Sequence, residues 1–389
     1  MSDIVTVKLP CIKSLSDACR YFEDILACHP ERDLRSAQSA VMAGESRKHP
    51  CLTIGHLIDP QDTTKASDDF DLPAVEMPVS PEADLARAII GMAGPLKMCN
   101  PIKPCFDLSV SGALVGCFGV PLNPQAGDAP AFTKSIEQIL ADSLPNAGTS
   151  AWMLKLKDKI KLVKEKTPAY FKMGFVPDGP FNLAHALVGN EAFMAPYSDP
   201  AIFHHLMDRI TNCWLDTRRI VLEWIGGERL DPWYYSSFSV ICECSVNLIS
   251  PDMYKEFVLP YDKRIAERLG AVAIHPCSGP HVFRTTLENI PNVVYTEAGQ
   301  ILQKTAAGSI SVEQALATIG KRDIILGVGQ ELPQGQEVEF IKNDLDLYRH
   351  HKRLLFSYTG MHWRKKDRPL IRDIHRCLDD YWYRQYIIS

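Results

Sequence analysis

The stretch AVAIHPCSGPHVFRTTLENIPNVVYTE, residues 271–297, decides how this chain folds. It contains a short apolar run, a cluster with Gly and Pro, an amphipathic segment and a second apolar run. This order is typical of a parallel βαβ unit. The same order recurs after residue 168 and predicts six strands, at residues 170–176, 238–242, 271–274, 292–295, 323–327 and 354–357. We therefore expect the α/β class, in the form of a (β/α)8 TIM barrel with an N-terminal helical extension.

The helices between these strands have clear start signals. An N-cap residue, a proline at the first helical position or a capping box marks three of them, at Ser198-Asp199-Pro200, at Ser250-Pro251 and at Ser311 with Gln314. The helix after Pro200 should have one apolar face, formed by Phe203, Leu206, Ile210, Trp214, Val221 and Trp224. We expect that face to pack on a sheet.

Composition excludes several classes of protein. The 389 residues are 46% hydrophobic and 23% charged, which is ordinary for a soluble globular protein with a substantial core. A net charge of -5 and a pI near 6.2 leave no global basic surface for a phosphate backbone, so we expect no nucleic acid partner. No run of about 18 apolar residues occurs and the N-terminus does not resemble a signal peptide, so we expect a cytoplasmic protein without membrane contact.

The chain is expected to contain one barrel and one extension. Residues 1–100 are predicted to be a partly helical N-terminal extension, placed to act as a lid, and residues 101–389 to be the barrel, with an early strand within 101–130. No repeat or Gly/Ser linker marks a second domain. The aromatic residues 381–383 are expected in the core or in a homodimer contact.

Residues suited to chemistry follow the predicted strands. In a parallel barrel the C-terminal ends of the strands meet at one face, where the loops converge over the barrel mouth. The residues at these ends are Asp178, Glu243, Cys244, His275, Cys277, Glu297, Gln330, Glu331, Thr359 and His362. We therefore expect this face to carry the functional site.

The sharpest motif on that face is His275-Pro276-Cys277. At a strand end both side chains can point the same way, and a neutral imidazole with a thiolate suits zinc. Glu297, one strand further along the chain, can add a carboxylate oxygen. The alternative is a buried thiol beside a hydrogen-bonded core histidine, because a His-x-Cys motif is short.

A family resemblance is carried by three segments, MGFVPDGPFNLAHALVGNEAFM (173–194), LISPDMYKEFVLPYDKRIAERLG (248–270) and AIHPCSG (273–279). In this order they resemble the uroporphyrinogen decarboxylase superfamily, especially its methyltransferase branch. The resemblance implies a (β/α)8 barrel and a zinc ion bound by His275, Cys277 and Glu297. It also implies methyl transfer to or from a corrinoid (cobalamin) cofactor on a partner protein, or a folate.

The sequence departs from that family pattern at the last strand. Where the family has a further cysteine, the segment SYTGMHW (357–363) has Gly360, with His362 two residues beyond. Three protein ligands would leave the fourth zinc position to water, a substrate thiolate or His362, and the affinity for zinc should fall. Cys244 is a candidate replacement for the missing thiolate, or else a packed thiol.

Roles for the other strand-end residues follow from this hypothesis. Asp178 is predicted to orient substrate or to cap the next helix. Glu243 is predicted to be a base, an acceptor for a metal-bound histidine or a solvated strand-end carboxylate. Gln330 is predicted to hydrogen-bond the ligand, and His362 to act in the same site.

Three functions remain open at this point. The first is a zinc-assisted methyltransferase acting on a small methylated substrate or a thiol, with demethylation as a companion activity. The second is a metal-free decarboxylase of a small polycarboxylate, for which the strand ends hold few cationic side chains. The third is a non-catalytic relative that binds a ligand or a corrinoid protein without turnover.

Overall fold

The structure is a computed structural model and describes residues 11–28, 51–54, 72–97, 104–108, 111–123, 129–143, 145–175, 177–230, 239–276, 280–297, 310–350, 354–359, 369, 370, 372–374, 376 and 377. The chain divides into two compact units. The first unit comprises Met1–Pro104, Glu165–Phe171 and Val328–Ser389, and the second comprises Cys105–Lys164 and Lys172–Gly327.

One to three helices separate most consecutive strands in the described part of the chain. The helices are α1 (Leu15–Cys28), α2 (Pro81–Lys97), α3 (Ser111–Cys117), α4 (Ile136–Ala141), α5 (Ala151–Lys166), α6 (Pro180–Val188), α7 (Glu191–Ser198), α8 (Pro200–Ile225), α9 (Pro251–Phe257), α10 (Leu259–Leu269), α11 (Pro280–Asn289), α12 (Val312–Ile319) and α13 (Glu337–His350). The strands are β1 (Cys51–Ile54), β2 (Cys105–Asp107), β3 (Leu122–Asn123), β4 (Ala129–Pro130), β5 (Lys172–Gly174), β6 (Ser239–Cys242), β7 (Val272–His275), β8 (Val293–Glu297), β9 (Ile325–Glu331) and β10 (Leu354–Thr359). A 3-10 helix, Cys244–Leu248, follows β6.

Parallel pairing in the second unit follows chain order. Strand β2 pairs with β5, and an isolated parallel bridge between Asp178 and Cys242 continues the pairing to β6. Strands β6, β7, β8 and the first residues of β9 then pair in succession, each parallel to the one before. Consecutive parallel strands with helices between them are the product of βαβ units. The α/β class is therefore confirmed, and closure into an eight-stranded barrel stays a prediction.

All six predicted strands occur, with ends shifted by a few residues. The largest extension is in β9, which continues beyond the predicted end at Gly327 to Glu331. The two glycines in that segment suggest an end to the strand, yet the backbone continues extended because ladder pairing depends on main-chain atoms.

The first unit holds strand β1 in parallel pairing with β10, and β10 lies beside β9. Helix α1 packs against α2, and the ring of Phe22 on α1 lies 5.0 Å from that of Phe171, centroid to centroid. Strand β1 lies within residues 1–100 and was not predicted, because an apolar run of four residues is too short to show a period. The domain boundary at residue 100 and the lid stay predictions.

Residues 101–130 contain the early strand that the sequence predicts there, β2, and the short antiparallel pair β3–β4. Helix α3 lies between them although its sequence, SGALVGC, includes glycines that disfavour helices. Gly116 is required by close packing, because a Cβ there would lie 2.7 Å from the Cγ atom of Trp152 on α5.

The predicted helix starts are confirmed. Asp199 Oδ1 accepts the N–H of Ile202 at 3.0 Å, and Ser250 Oγ accepts the N–H of Met253 at 3.2 Å. Ser311 and its third neighbour form both bonds of the capping box, at 3.2 and 2.7 Å. These bonds satisfy N–H groups that a helix leaves unpaired at its start.

Helix α8 buries most of the predicted apolar face, including Phe203, Trp214 and Val221. Trp224 is only half-buried, and the next residue, Ile225, is buried instead. The helix packs against α4, α6, α7 and α10, so much of its face contacts helices rather than a sheet. No helix in the described ranges combines the length and the apolar character needed to cross a membrane.

Candidate functional site

Four of the predicted site residues lie at the carboxyl ends of neighbouring parallel strands in the second unit. Asp178 follows β5 and Glu243 follows β6, whereas His275 and Glu297 are the last residues of β7 and β8. Backbone pairing joins Asp178 to Cys242, and Cys242 to His275. The strands thus bring these residues to one edge of the sheet, where the site was expected.

Three further predicted residues have side chains that the structure does not describe. Cys277 and His362 lie outside the described residues. Gln330 belongs to strand β9, but its side chain is not among those described. Their proposed roles therefore stay predictions.

An imidazole–carboxylate pair joins the ends of β7 and β8. His275 Nδ1 hydrogen-bonds with Glu297 Oε2, and the Tyr295 hydroxyl donates to Glu297 Oε1 at 2.9 Å. The His275 and Glu297 side chains are 29% and 21% exposed. Because both carboxylate oxygens are engaged, the orientation of the imidazole is fixed by the neighbouring strand.

Gly327 on β9 leaves the space that this pair needs. A Cβ at that position would overlap the Tyr295 hydroxyl and would lie 2.8 Å from Tyr295 Cζ and 3.0 Å from Glu297 Cγ. Tyr295 is only 2% exposed, so its ring has little room to move aside. The glycine is therefore part of the support for Glu297.

Cys244 contacts the same histidine from the end of β6. A hydrogen bond links its thiol to the His275 imidazole, whose Nδ1 atom is engaged by Glu297. Burial alone lowers the pKa of His275, but its hydrogen bonds with Cys244 and Glu297 and their negative charges outweigh burial and raise that pKa to about 10. The imidazole thus lies between a sulfur and a carboxylate.

Glu243 is a buried cap for helix α6. It is 1% exposed, and its two carboxylate oxygens accept the backbone N–H groups of Phe181 and Asn182, each at 3.1 Å. The N-cap residue of α6 is Gly179, and a Cβ there would overlap the Glu243 carboxyl group. Glu243 is therefore not a solvated strand-end carboxylate, and the cap on α6 comes from it rather than from Asp178.

A second buried carboxyl group lies beside Glu243. Asp262 on α10 hydrogen-bonds with Glu243, and its Oδ2 accepts the Tyr254 hydroxyl at 3.1 Å. Ionised carboxylates only accept hydrogen bonds, so the bond between Asp262 and Glu243 requires a carboxyl proton on one of them.

Burial explains how that proton is retained. Burial and the nearby charge of Asp262 raise the pKa of Glu243 well above its usual range. Burial also raises the pKa of Asp262 to about 7, against hydrogen bonds with Tyr254 and Glu243 that lower it. We conclude that the pair holds one proton at neutral pH, because two adjacent buried charges of the same sign are costly.

Asp178 is half-buried at the start of the same region. Its Oδ1 lies 3.5 Å from Asn182 Nδ2, and its carbonyl accepts the indole N–H of Trp214 at 2.9 Å. Asn182 Oδ1 in turn accepts the N–H of Ser245 at 2.7 Å. Asn182 therefore ties the loop after β5 to the turn after β6.

The donor chemistry at this edge suits zinc. Cys244 and His275 pair a thiol with an imidazole, the combination that zinc prefers, and Glu297 engages Nδ1 as carboxylates behind metal-binding histidines do. In the described ranges, no three His, Cys, Asp or Glu side chains form a cluster that could hold a metal ion. A further donor must come from elsewhere, and Cys277 is the one that the sequence predicts.

Several residues of this site were not singled out from the sequence, among them Tyr295, Gly327 and Asp262. Tyr295 could have been, because it stands two residues before Glu297 on one strand and so projects to the same face. Gly327 and Asp262 carry no local signal of their roles. Their partners are set by which elements become neighbours in the folded chain.

Comparison with solved structures finds a similar fold in a methyltransferase from Methanosarcina mazei. The TM-score is 0.59 at 14% identity, and the alignment covers 90% of this chain and 99% of that chain. Comparison with curated proteins gives no match. The pattern of the family described as Uroporphyrinogen decarboxylase (URO-D) matches residues 105–328, more than half of the chain. That match confirms the resemblance carried by the three sequence segments, and the chain belongs to the uroporphyrinogen decarboxylase family.

Proposed function

We propose that this protein is a methyltransferase that moves a methyl group between a small methylated substrate or a thiol and a carrier, assisted by zinc. The main support is the hydrogen-bonded series Cys244, His275 and Glu297 at the ends of β6, β7 and β8. A thiol, an imidazole and a carboxylate in this order suit zinc binding and sulfur chemistry. The fold shared with a methyltransferase from Methanosarcina mazei agrees with this assignment.

His275 and Cys277 are the proposed zinc donors. Glu297 is also predicted as a donor, but its oxygens bond with His275 and Tyr295, so we assign it to orienting the imidazole. When bound, zinc lowers the pKa of a coordinated thiol and so supplies a nucleophilic thiolate at neutral pH.

The remaining residues bind and orient the reactants. Asp178 is half-buried beside the site and is proposed to orient the substrate. Gln330 is proposed to hydrogen-bond the ligand, and His362 to lie near the fourth zinc position. Because both oxygens of Glu243 hold helix α6, we assign it to positioning rather than to proton transfer.

The carrier is proposed to be a corrinoid on a partner protein, or a folate. The basis is the resemblance to the methyltransferase branch, which implies a site that admits another protein's cofactor. Free methylcobalamin and methyltetrahydrofolate, each offered with a simple alkanethiol, separate the two carriers. Formation of the methyl thioether with one of them identifies the donor.

Elemental analysis of the purified protein tests the zinc donors. We expect near-stoichiometric zinc, lost in His275→Ala and in Cys277→Ala because each removes a donor. His205→Ala, at an exposed position on α8, and Cys105→Ala, at the start of β2, should retain the metal. Protein that takes up no zinc even when it is supplied would contradict the proposal and favour a metal-free decarboxylase or a ligand-binding relative.

A further inference from the structure

We infer that Cys244 supplies a zinc thiolate from the end of β6, in place of the last-strand cysteine for which this sequence has Gly360. The inference rests on the proposed zinc site. It moves one ligand to a strand on which the family pattern, as inferred from the sequence, has none.

Cys244 lies in contact with the proposed zinc donor on the neighbouring strand. Strands β6 and β7 are parallel, with Cys242 opposite His275, and the N–H of Glu243 donates to the carbonyl of His275 at 3.0 Å. Cys244 is the next residue, and its thiol hydrogen-bonds with the His275 imidazole. A sulfur at hydrogen-bond distance from an imidazole nitrogen needs only a small rearrangement for both atoms to bind one ion.

The residues on either side of Cys244 are held in place. Glu243 is fixed by the N–H groups of Phe181 and Asn182, as described above. Ser245 donates its N–H to Asn182 Oδ1 at 2.7 Å, and its hydroxyl lies 3.1 Å from Nδ1 of His185. Because both of its neighbours in the chain are held by hydrogen bonds, the backbone of Cys244 is fixed before any metal binds. Metal sites require this kind of preorganisation.

The charges around this position favour a cation. Glu297 lies on the far side of His275, and Asp178 follows β5, two strands before β7. These two carboxylates favour a cation bound beside the thiol.

The test measures zinc affinity and the spectrum of the Co²⁺-substituted protein, in the full chain. We expect Cys244→Ala to weaken zinc binding by more than about 10-fold, a loss at least as large as that for a residue behind the ligands. The near-ultraviolet sulfur-to-cobalt charge-transfer band should also lose intensity, because one thiolate fewer reaches the metal. The matched control is Cys105→Ala. Cys105 is a half-buried thiol at the first residue of β2, away from the carboxyl ends of the strands, so its loss should change neither the zinc affinity nor the charge-transfer band.

The outcomes separate this inference from the proposed function. Zinc bound normally by Cys244→Ala, with an unchanged cobalt spectrum, would overturn the role of Cys244 and leave the His275 site standing if His275→Ala loses the metal. Cys244→Ser distinguishes ligand loss from misfolding, because it keeps the shape and hydrogen bonding of the side chain while removing the sulfur. A folded Cys244→Ser protein with unaltered zinc affinity would likewise overturn the inference.

Discussion

The position of the Glu297 carboxylate depends on two residues that are not proposed to bind the reactants. Tyr295 bonds one carboxylate oxygen, and Gly327 on the next strand leaves room for the tyrosine hydroxyl. The other oxygen is then available to His275 in one orientation only. The absence of a side chain at Gly327 therefore matters to the site as much as the groups that form hydrogen bonds there.

Gly327→Ala should destabilise the protein by about 1–3 kcal/mol, because the added methyl group overlaps a ring that is buried and cannot retreat. Unfolding in urea measures the change. Gly91→Ala is the matched control, since a Cβ there meets nothing within 4 Å and a helical alanine gains up to about 1 kcal/mol over glycine. Equal unfolding free energies for the two variants would refute the assigned role of Gly327.

At the scale of elements, the carboxyl group of Glu243 links helix α6 to the end of strand β6. The helix has a glycine at its N-cap, so it lacks the side-chain cap that α8, α9 and α12 have. Glu243 replaces that cap from a neighbouring strand and binds two N–H groups rather than one. The loop after β5 and the turn after β6 consequently hold each other.

Replacing Glu243 with alanine should cost about 2 kcal/mol or more, because a buried and a partly buried N–H group lose their acceptor. Ser250→Ala, which removes an ordinary cap from α9, should cost about 1 kcal/mol. Urea denaturation of both variants gives the comparison. A Glu243→Ala protein as stable as the unaltered chain would show that this bond between helix and strand contributes nothing.

The buried Glu243–Asp262 pair connects the folding stability of the whole molecule to pH. The pKa of Asp262 is raised to about 7 from an ordinary value of 3.8. Between these two values the unfolded chain has released a proton that the folded chain still holds. The contribution of this group to stability therefore falls as pH rises through that window, and changes little above it.

Asp262→Asn removes this dependence. The unfolding free energy of the unaltered protein, minus that of the variant, should fall as pH rises from about 4 to 7, by up to about 1.4 kcal/mol per pH unit. Thermal or urea unfolding across this pH range measures it. Asp216→Asn, with an exposed side chain on α8, should run parallel to the unaltered protein. Parallel curves for Asp262→Asn as well would mean that the pair holds no extra proton.

Much of the fold was open to prediction from the sequence. Strands β5 to β10, the helix starts at Asp199, Ser250 and Ser311, and the strand-end positions of Asp178 and His275 all depend on local patterns. Strand β1 and helix α3 were missed, the first because it is short and the second because Gly116, a poor helix former, serves packing against Trp152. Prediction from local patterns fails where a residue is determined by contact with an element that is distant in the chain.

The sequence by itself determined the α/β class, the order of the strands and which residues stand at their carboxyl ends, because apolar periodicity and caps act over a few residues. Only the tertiary structure decided which partner each of those residues has. It placed the Glu243 carboxyl group at the start of helix α6, whose Phe181 lies 62 residues earlier in the chain. It also made Glu297 a hydrogen-bond partner of His275, where the sequence had suggested a further zinc donor. The physical reason is that buried polar groups must be satisfied by whatever the packing of distant elements brings within hydrogen-bond reach.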